Sequence, residues 1–197
     1  EAGPGAALTL TTQAAERIYR SSGGEGQVAT RLTAGAGATL HWLPQETILF
    51  EGGRLVRSLD ADIAPDARFL ALETVVLGRE AMGETVTAGL FEDCWRVRRG
   101  GRLVFADTLR LSGAIGEIAA HPALLAGNRA AATLLYTGPG AEARLDPLRS
   151  ALTGHSAASF RDGCLVARLL APSARALRAM LVPLVTLFRP LPAVWQS

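Results

Sequence analysis

Carboxylates are the side chains in this sequence best placed to do chemistry. Glu46 follows Pro44-Gln45 at a bend, Glu84 follows Met82-Gly83, and Glu117 lies in the apolar segment Gly116-Glu117-Ile118-Ala119. Glu92 and Asp93 stand together before Cys94. An acid in an apolar context must be hydrogen-bonded, paired or close to water. Such residues are either partners of arginine or the polar lining of a path through the protein. Nitrogen and sulfur donors are sparse: His41, His121 and His155 form no HxxxH pair, and Cys94 and Cys164 belong to no metal-spaced cluster.

Several activities are excluded by what the chain lacks. All 20 basic residues are arginine, so there is no P-loop lysine and no conventional nucleotide hydrolysis. The run Ser21-Ser22-Gly23-Gly24-Glu25-Gly26 fits neither a Walker loop nor a dinucleotide fingerprint, and no Gly-x-Ser-x-Gly elbow occurs. Exclusive use of arginine, with abundant Ala, Gly and Leu, reads as a coding bias. With a formal net charge of +2 and no dense basic run, no nucleic-acid partner is expected. The apolar stretch from Ala179 to Phe188 is broken by Pro183 and bounded by Arg178 and Arg189. It has about half the length a bilayer crossing needs, so no membrane partner is expected either. Two isolated cysteines fit a reducing compartment, and the expected location is cytoplasmic. The chain opens without Met and runs at once into strand-like sequence, as the interior of a longer gene product would.

These side chains must be positioned by strands. Gly5-Ala6-Ala7-Leu8-Thr9-Leu10 resembles Gly37-Ala38-Thr39-Leu40-His41-Trp42, with a weaker third copy at Asp66-Ala67-Arg68-Phe69-Leu70-Ala71-Leu72-Glu73-Thr74, at offsets of 32 and 29 residues. A period near 30 suggests stacked β units, each burying its apolar side against the next. Gly52-Gly53 and Gly100-Gly101, each flanked by strand-like segments, predict two tight hairpins. In the second, Trp95 and Val97 should face inward, with Arg96 and Arg98 toward water. Leu109–Leu111, Ala131–Tyr136 and Gly163–Leu170 read as further strands. Helices are expected only in the last third. One starts at Asp146-Pro147 and runs to about Leu152. The other starts near Ser173 with an apolar stripe through Leu177, Met180, Leu181, Leu184, Val185 and Phe188, which Pro183 should kink or cut short. The expected fold is mainly β: one domain over residues 1–197, a stacked-strand β-superhelix or β-solenoid-like body with two short α-helices near the C-terminus.

Four stretches are more specific. Leu10-Thr11-Thr12-Gln13-Ala14-Ala15-Glu16-Arg17-Ile18-Tyr19-Arg20, Trp42-Leu43-Pro44-Gln45-Glu46-Thr47-Ile48-Leu49-Phe50, Gly78-Arg79-Glu80-Ala81-Met82-Gly83-Glu84 and Leu191-Pro192-Ala193-Val194-Trp195 resemble, in that order, the urease accessory protein UreD (UreH in some species). Ala193 stands where an Arg is common. The resemblance implies a non-catalytic urease maturation factor, a nickel-insertion chaperone lacking here the N-terminal part of its family. Its implied partners are UreF, the GTPase UreG recruited through UreF, and apo-urease. It implies no permanently bound cofactor, only transient Ni²⁺ delivered to the urease active site, with an internal tunnel as one route. Carboxylates and water hold Ni²⁺ more weakly than imidazole or thiolate, which suits a conduit better than a store. Glu46, Glu84 and Glu117 are the candidate path residues; Tyr19, Arg79 and Trp195 are candidate partner contacts. Two other readings are a β-solenoid carbohydrate-active enzyme, which would need paired acids in an open groove with aromatic platforms, and a generic adaptor unrelated to nickel.

Overall fold

The computed structural model describes residues 1–195. Its strands, in chain order, are β1 (Ala7–Leu10), β2 (Glu16–Ile18), β3 (Gly26–Ala34), β4 (Thr39–Trp42), β5 (Thr47–Leu49), β6 (Arg54–Ile63), β7 (Arg68–Leu77), β8 (Gly89–Arg99), β9 (Arg102–Gly113), β10 (Ala130–Thr137), β11 (His155–Arg161) and β12 (Cys164–Ala171). Up to β8 the chain shuttles between two sheets. β1, β2, β4, β5 and β7 enter the first sheet; β3, β6 and β8 enter the second. Each visit pairs in parallel with the one before, and the register is that of the sequence repeat: Leu8 lies opposite Leu40, and Leu40 opposite Phe69. Equivalent apolar residues thus stack in rows and bury one another.

Past β8 the winding ends. β9 turns back antiparallel on β8, and β10, β12 and β11 extend the first sheet antiparallel from β7. The fold is therefore two mixed sheets, and the expected solenoid-like body is corrected to that extent. The Gly100-Gly101 hairpin forms, with Trp95 and Val97 buried. Gly52-Gly53 makes no hairpin. β5 and β6 lie in different sheets, and the glycine pair turns the corner between them. Strand-flanked glycines look alike in both settings, and only the partner strand tells them apart.

The two sheets pack face to face on Leu32, Leu59, Trp95 and Val97 from one and Leu40, Phe69, Ala71 and Leu135 from the other. A second apolar cluster around Leu55, Phe91, Val75, Leu49 and Ile115 fills the other end of the same layer. Contrary to the expected confinement of helices, α1 (Ile115–Ala120) lies mid-chain and closes that end. Outside the first sheet lie α2 (Leu145–Ala151) and α3 (Ala174–Thr186). Asp146 falls in the first turn of α2 and does not cap it. Ser173 caps α3, its hydroxyl accepting from the Ala176 amide, and Pro183 is accommodated within a helix that continues three residues past it. The stripe Leu177, Leu181, Leu184 and Val185 is buried on the sheet; each such side chain contributes about 1.5–3 kcal/mol, which offsets the hydrogen bond that proline cannot make.

Beyond α3 the chain folds back over the first rung. The Arg189 guanidinium donates to Thr9 Oγ1 and faces His41 Nδ1 at 3.3 Å, so the ring nitrogen accepts. Burial first, and then Arg189, lower the His41 pKa to about 4. The fold thus holds His41 neutral, while an unfolded chain protonates it below its ordinary 6.5. Stability should fall as pH drops from about 6.5 to about 4 by about 1–2 kcal/mol, allowing for solvent screening of a partly exposed ring. Urea denaturation of His41→Gln across that range should show a flatter profile than the wild type; an unchanged slope would refute the assignment.

Candidate functional site

A strand with one buried face places its apolar residues in alternate phase, and the inward phase carries three charges. On β6, Arg57 is in step with Leu55 and Leu59; on β8, Asp93 is in step with Phe91 and Trp95; on β7, Glu73 lies between Ala71 and Val75. All three are buried, at 7%, 6% and 6% exposure, and they meet midway between the two apolar clusters. Arg57 Nη2 donates to Asp93 Oδ2 at 2.8 Å and Nη1 to Thr47 Oγ1 at 2.9 Å. Trp42 Nε1 donates to Glu73 Oε1 at 2.8 Å, and Trp95 Nε1 to Asp93 Oδ1 at 3.1 Å. The guanidinium also lies 5.1 Å from the centre of the Phe91 ring.

One contact is incomplete. Arg57 Nε and Glu73 Oε2 are 2.8 Å apart, yet the N–H does not point at the oxygen, and both atoms are buried without a hydrogen bond. They attract as charges without completing the bond. Two carboxyl groups share one guanidinium, an arrangement that favours a proton on one of them. Burial raises the Glu73 pKa, Arg57 opposes that, and Asp93 pushes it further up. Burial would lower the Arg57 pKa, but Glu73 and Asp93 outweigh it and hold the guanidinium charged.

Cavities adjoin the cluster on two sides. One, of about 210 Å³, is lined by Glu16, Val28, Thr30, Trp42, Thr47, Arg57 and Glu73, toward the β2 and β3 edge. The other, of about 100 Å³, is lined by Arg57, Glu73, Asp93, Leu109, Leu124 and Arg168, toward β9 and β12. Arg57 and Glu73 belong to both. The arrangement is a polar seam across an apolar layer.

The acids chosen from the sequence lie elsewhere. Glu46 sits between β4 and β5 at a cavity of about 220 Å³ beneath α3, with Arg175, Arg178 and Trp195. Glu84 is tied down: it accepts from Arg79 Nε at 2.8 Å and from the backbone amides of Arg79 and Glu51, and the Arg79 bond above all lowers its pKa to about 2. Glu117 is exposed on α1. Among the described residues, no three His, Cys, Asp or Glu side chains cluster to hold a metal. Of the proposed contacts, Tyr19 is 63% exposed and lies edge-on to Phe50, and Arg79 stacks on the same ring. Trp195 is corrected: it is buried, its indole donating to the Leu43 carbonyl, so it packs the core. Arg57, Glu73 and Asp93 were missed as a group, although a charge in the apolar phase of a strand marked both Arg57 and Asp93.

These features define a class of protein: a two-sheet β scaffold with an acidic seam through its core. The chain's relatives make that specific. A family model described as UreD urease accessory protein matches residues 1–196. The chain is 50% identical to the urease accessory protein UreD of Agrobacterium fabrum over 98% of its own length and 69% of that protein's. To UreD of a Methylobacterium species it is 51% identical, covering 100% of the chain and 73% of the relative. To UreD 2 of Methylorubrum populi it is 50% identical, covering 98% and 67%. The chain belongs to the UreD urease accessory protein family. Members are non-catalytic chaperones of nickel insertion into urease.

Proposed function

We propose that this chain acts in the cytoplasm as a single-domain scaffold that binds UreF, recruits UreG through it, docks on apo-urease, and passes Ni²⁺ through its own interior. No cofactor is held permanently; the metal is cargo. The observation that carries the interior route is the buried Glu73–Asp93 pair with cavities on two sides. An ion entering past Glu16 meets carboxylates rather than imidazoles or thiolates, so it is stripped of part of its water without being trapped. The path proposed here runs past Glu16, Glu73 and Asp93 rather than through Glu46, Glu84 and Glu117. Tyr19 and Arg79 remain proposed partner contacts at the exposed end of β2, β5 and β7.

The test is the double substitution Glu73→Gln/Asp93→Asn in the full-length protein, co-expressed with UreF, UreG and apo-urease. Nickel content and activity of the purified urease should fall at least tenfold, about 1.4 kcal/mol in transfer, with UreF still co-purifying. Wild-type activation by the double variant would rule out the route.

A further inference from the structure

The cavities adjoining Glu73 and Asp93 meet at a side chain that is itself a cation. We propose that Arg57 is a tethered counter-ion that plugs the acidic seam, and that a divalent cation crosses only by displacing it. This rests on the conduit reading above.

Four observations carry the inference. Arg57 lies between the two acids, within 2.8 Å of each, where an ion bridging them would sit. Arg57 lines both cavities, which adjoin at that side chain. Its grip on Glu73 is imperfect, because Nε and Oε2 are both buried and neither completes a hydrogen bond. Finally, one guanidinium is shared by two carboxyl groups. A dication balances both of them ionised, which one guanidinium cannot do. Release has a place to go: Nη1 already reaches Thr47 Oγ1, on the wall of the larger cavity. Monovalent cations gain no such advantage over Arg57, so the plug also selects for charge.

Because Trp42 and Trp95 donate directly to the two acids, a paramagnetic ion between them quenches indole fluorescence. The experiment uses full-length protein co-purified with UreF and titrated with Ni²⁺, read by tryptophan quenching and by equilibrium dialysis. Arg57→Gln should bind Ni²⁺ at least tenfold more tightly than wild type, and its melting temperature should rise with added Ni²⁺. Adding Glu73→Gln should abolish both effects. Should Arg57→Gln fail to fold, Arg57→Lys keeps the charge but not the fork that spans both acids, and should bind at least threefold more tightly. Unchanged affinity in a folded Arg57 variant overturns the plug. If that occurs while Glu73→Gln/Asp93→Asn still fails to activate urease, the conduit stands without its gate. If the double variant activates normally, the conduit itself falls.

Discussion

Replacing Arg57 with methionine should cost about 3–5 kcal/mol of folding stability at neutral pH, the usual result of removing one side of a buried ion pair. The loss is large because two carboxylates are left facing each other at 6% exposure each, with no counter-charge between them. Adding Glu73→Gln and Asp93→Asn to Arg57→Met removes the stranded charges, and most of the stability should return. Neutral amides still accept from Trp42 and Trp95, so those hydrogen bonds survive. Urea denaturation of the single and triple variants measures both quantities. A single variant within 1 kcal/mol of wild type would mean that water reaches the seam freely. A triple variant as unstable as the single would mean that Arg57 acts by packing on Phe91, not by charge.

The second large effect is expected at Gly53. A Cβ there would lie 2.8 Å from the Ile18 carbonyl oxygen and 2.9 Å from that of Phe50. Both obstacles are backbone and cannot rotate aside. Gly53 also holds the corner where the chain leaves one sheet for the other, its carbonyl accepting from the Leu90 amide. Gly53→Ala should therefore destabilise by about 2–3 kcal/mol, the upper range for overpacking. Gly3→Ala is the matched control, since an added methyl there meets nothing within 4 Å, and should change stability by less than about 0.5 kcal/mol. Thermal melts of both decide the point, and equal melting temperatures would defeat it.

The Gly53 corner shows why the fold was only partly legible. The repeat at offsets of 32 and 29 residues is a local pattern, and it became the parallel register of three rungs because like apolar residues stack best on like. Gly52-Gly53 and Gly100-Gly101 carry the same local signal, positive-φ tolerance between strands, yet one is a hairpin and the other a change of sheet. Which occurs depends on partner strands far along the chain, such as Val75 opposite Thr47, 28 residues on (75 − 47). Mid-chain α1 was hidden for a related reason. Its six residues form against a core that the two sheets must first create.

The seam divides the same way. The sequence by itself determined that this is a strand-built protein without a P-loop lysine or a clustered set of metal-binding imidazoles and thiolates. It also carried the UreD stretches that identify the family, and it placed Arg57 and Asp93 in the inward phase of their strands, since alternation is a property of one strand alone. Only the tertiary structure decided that Arg57, Glu73 and Asp93, from three strands in two sheets, converge with Trp42, Trp95 and Thr47. It also decided that Glu84 is held by Arg79, and that Trp195 is core. The physical reason is that burial and pairing energies depend on distances between strands, set by how two sheets close on each other, and no single strand's pattern contains those distances.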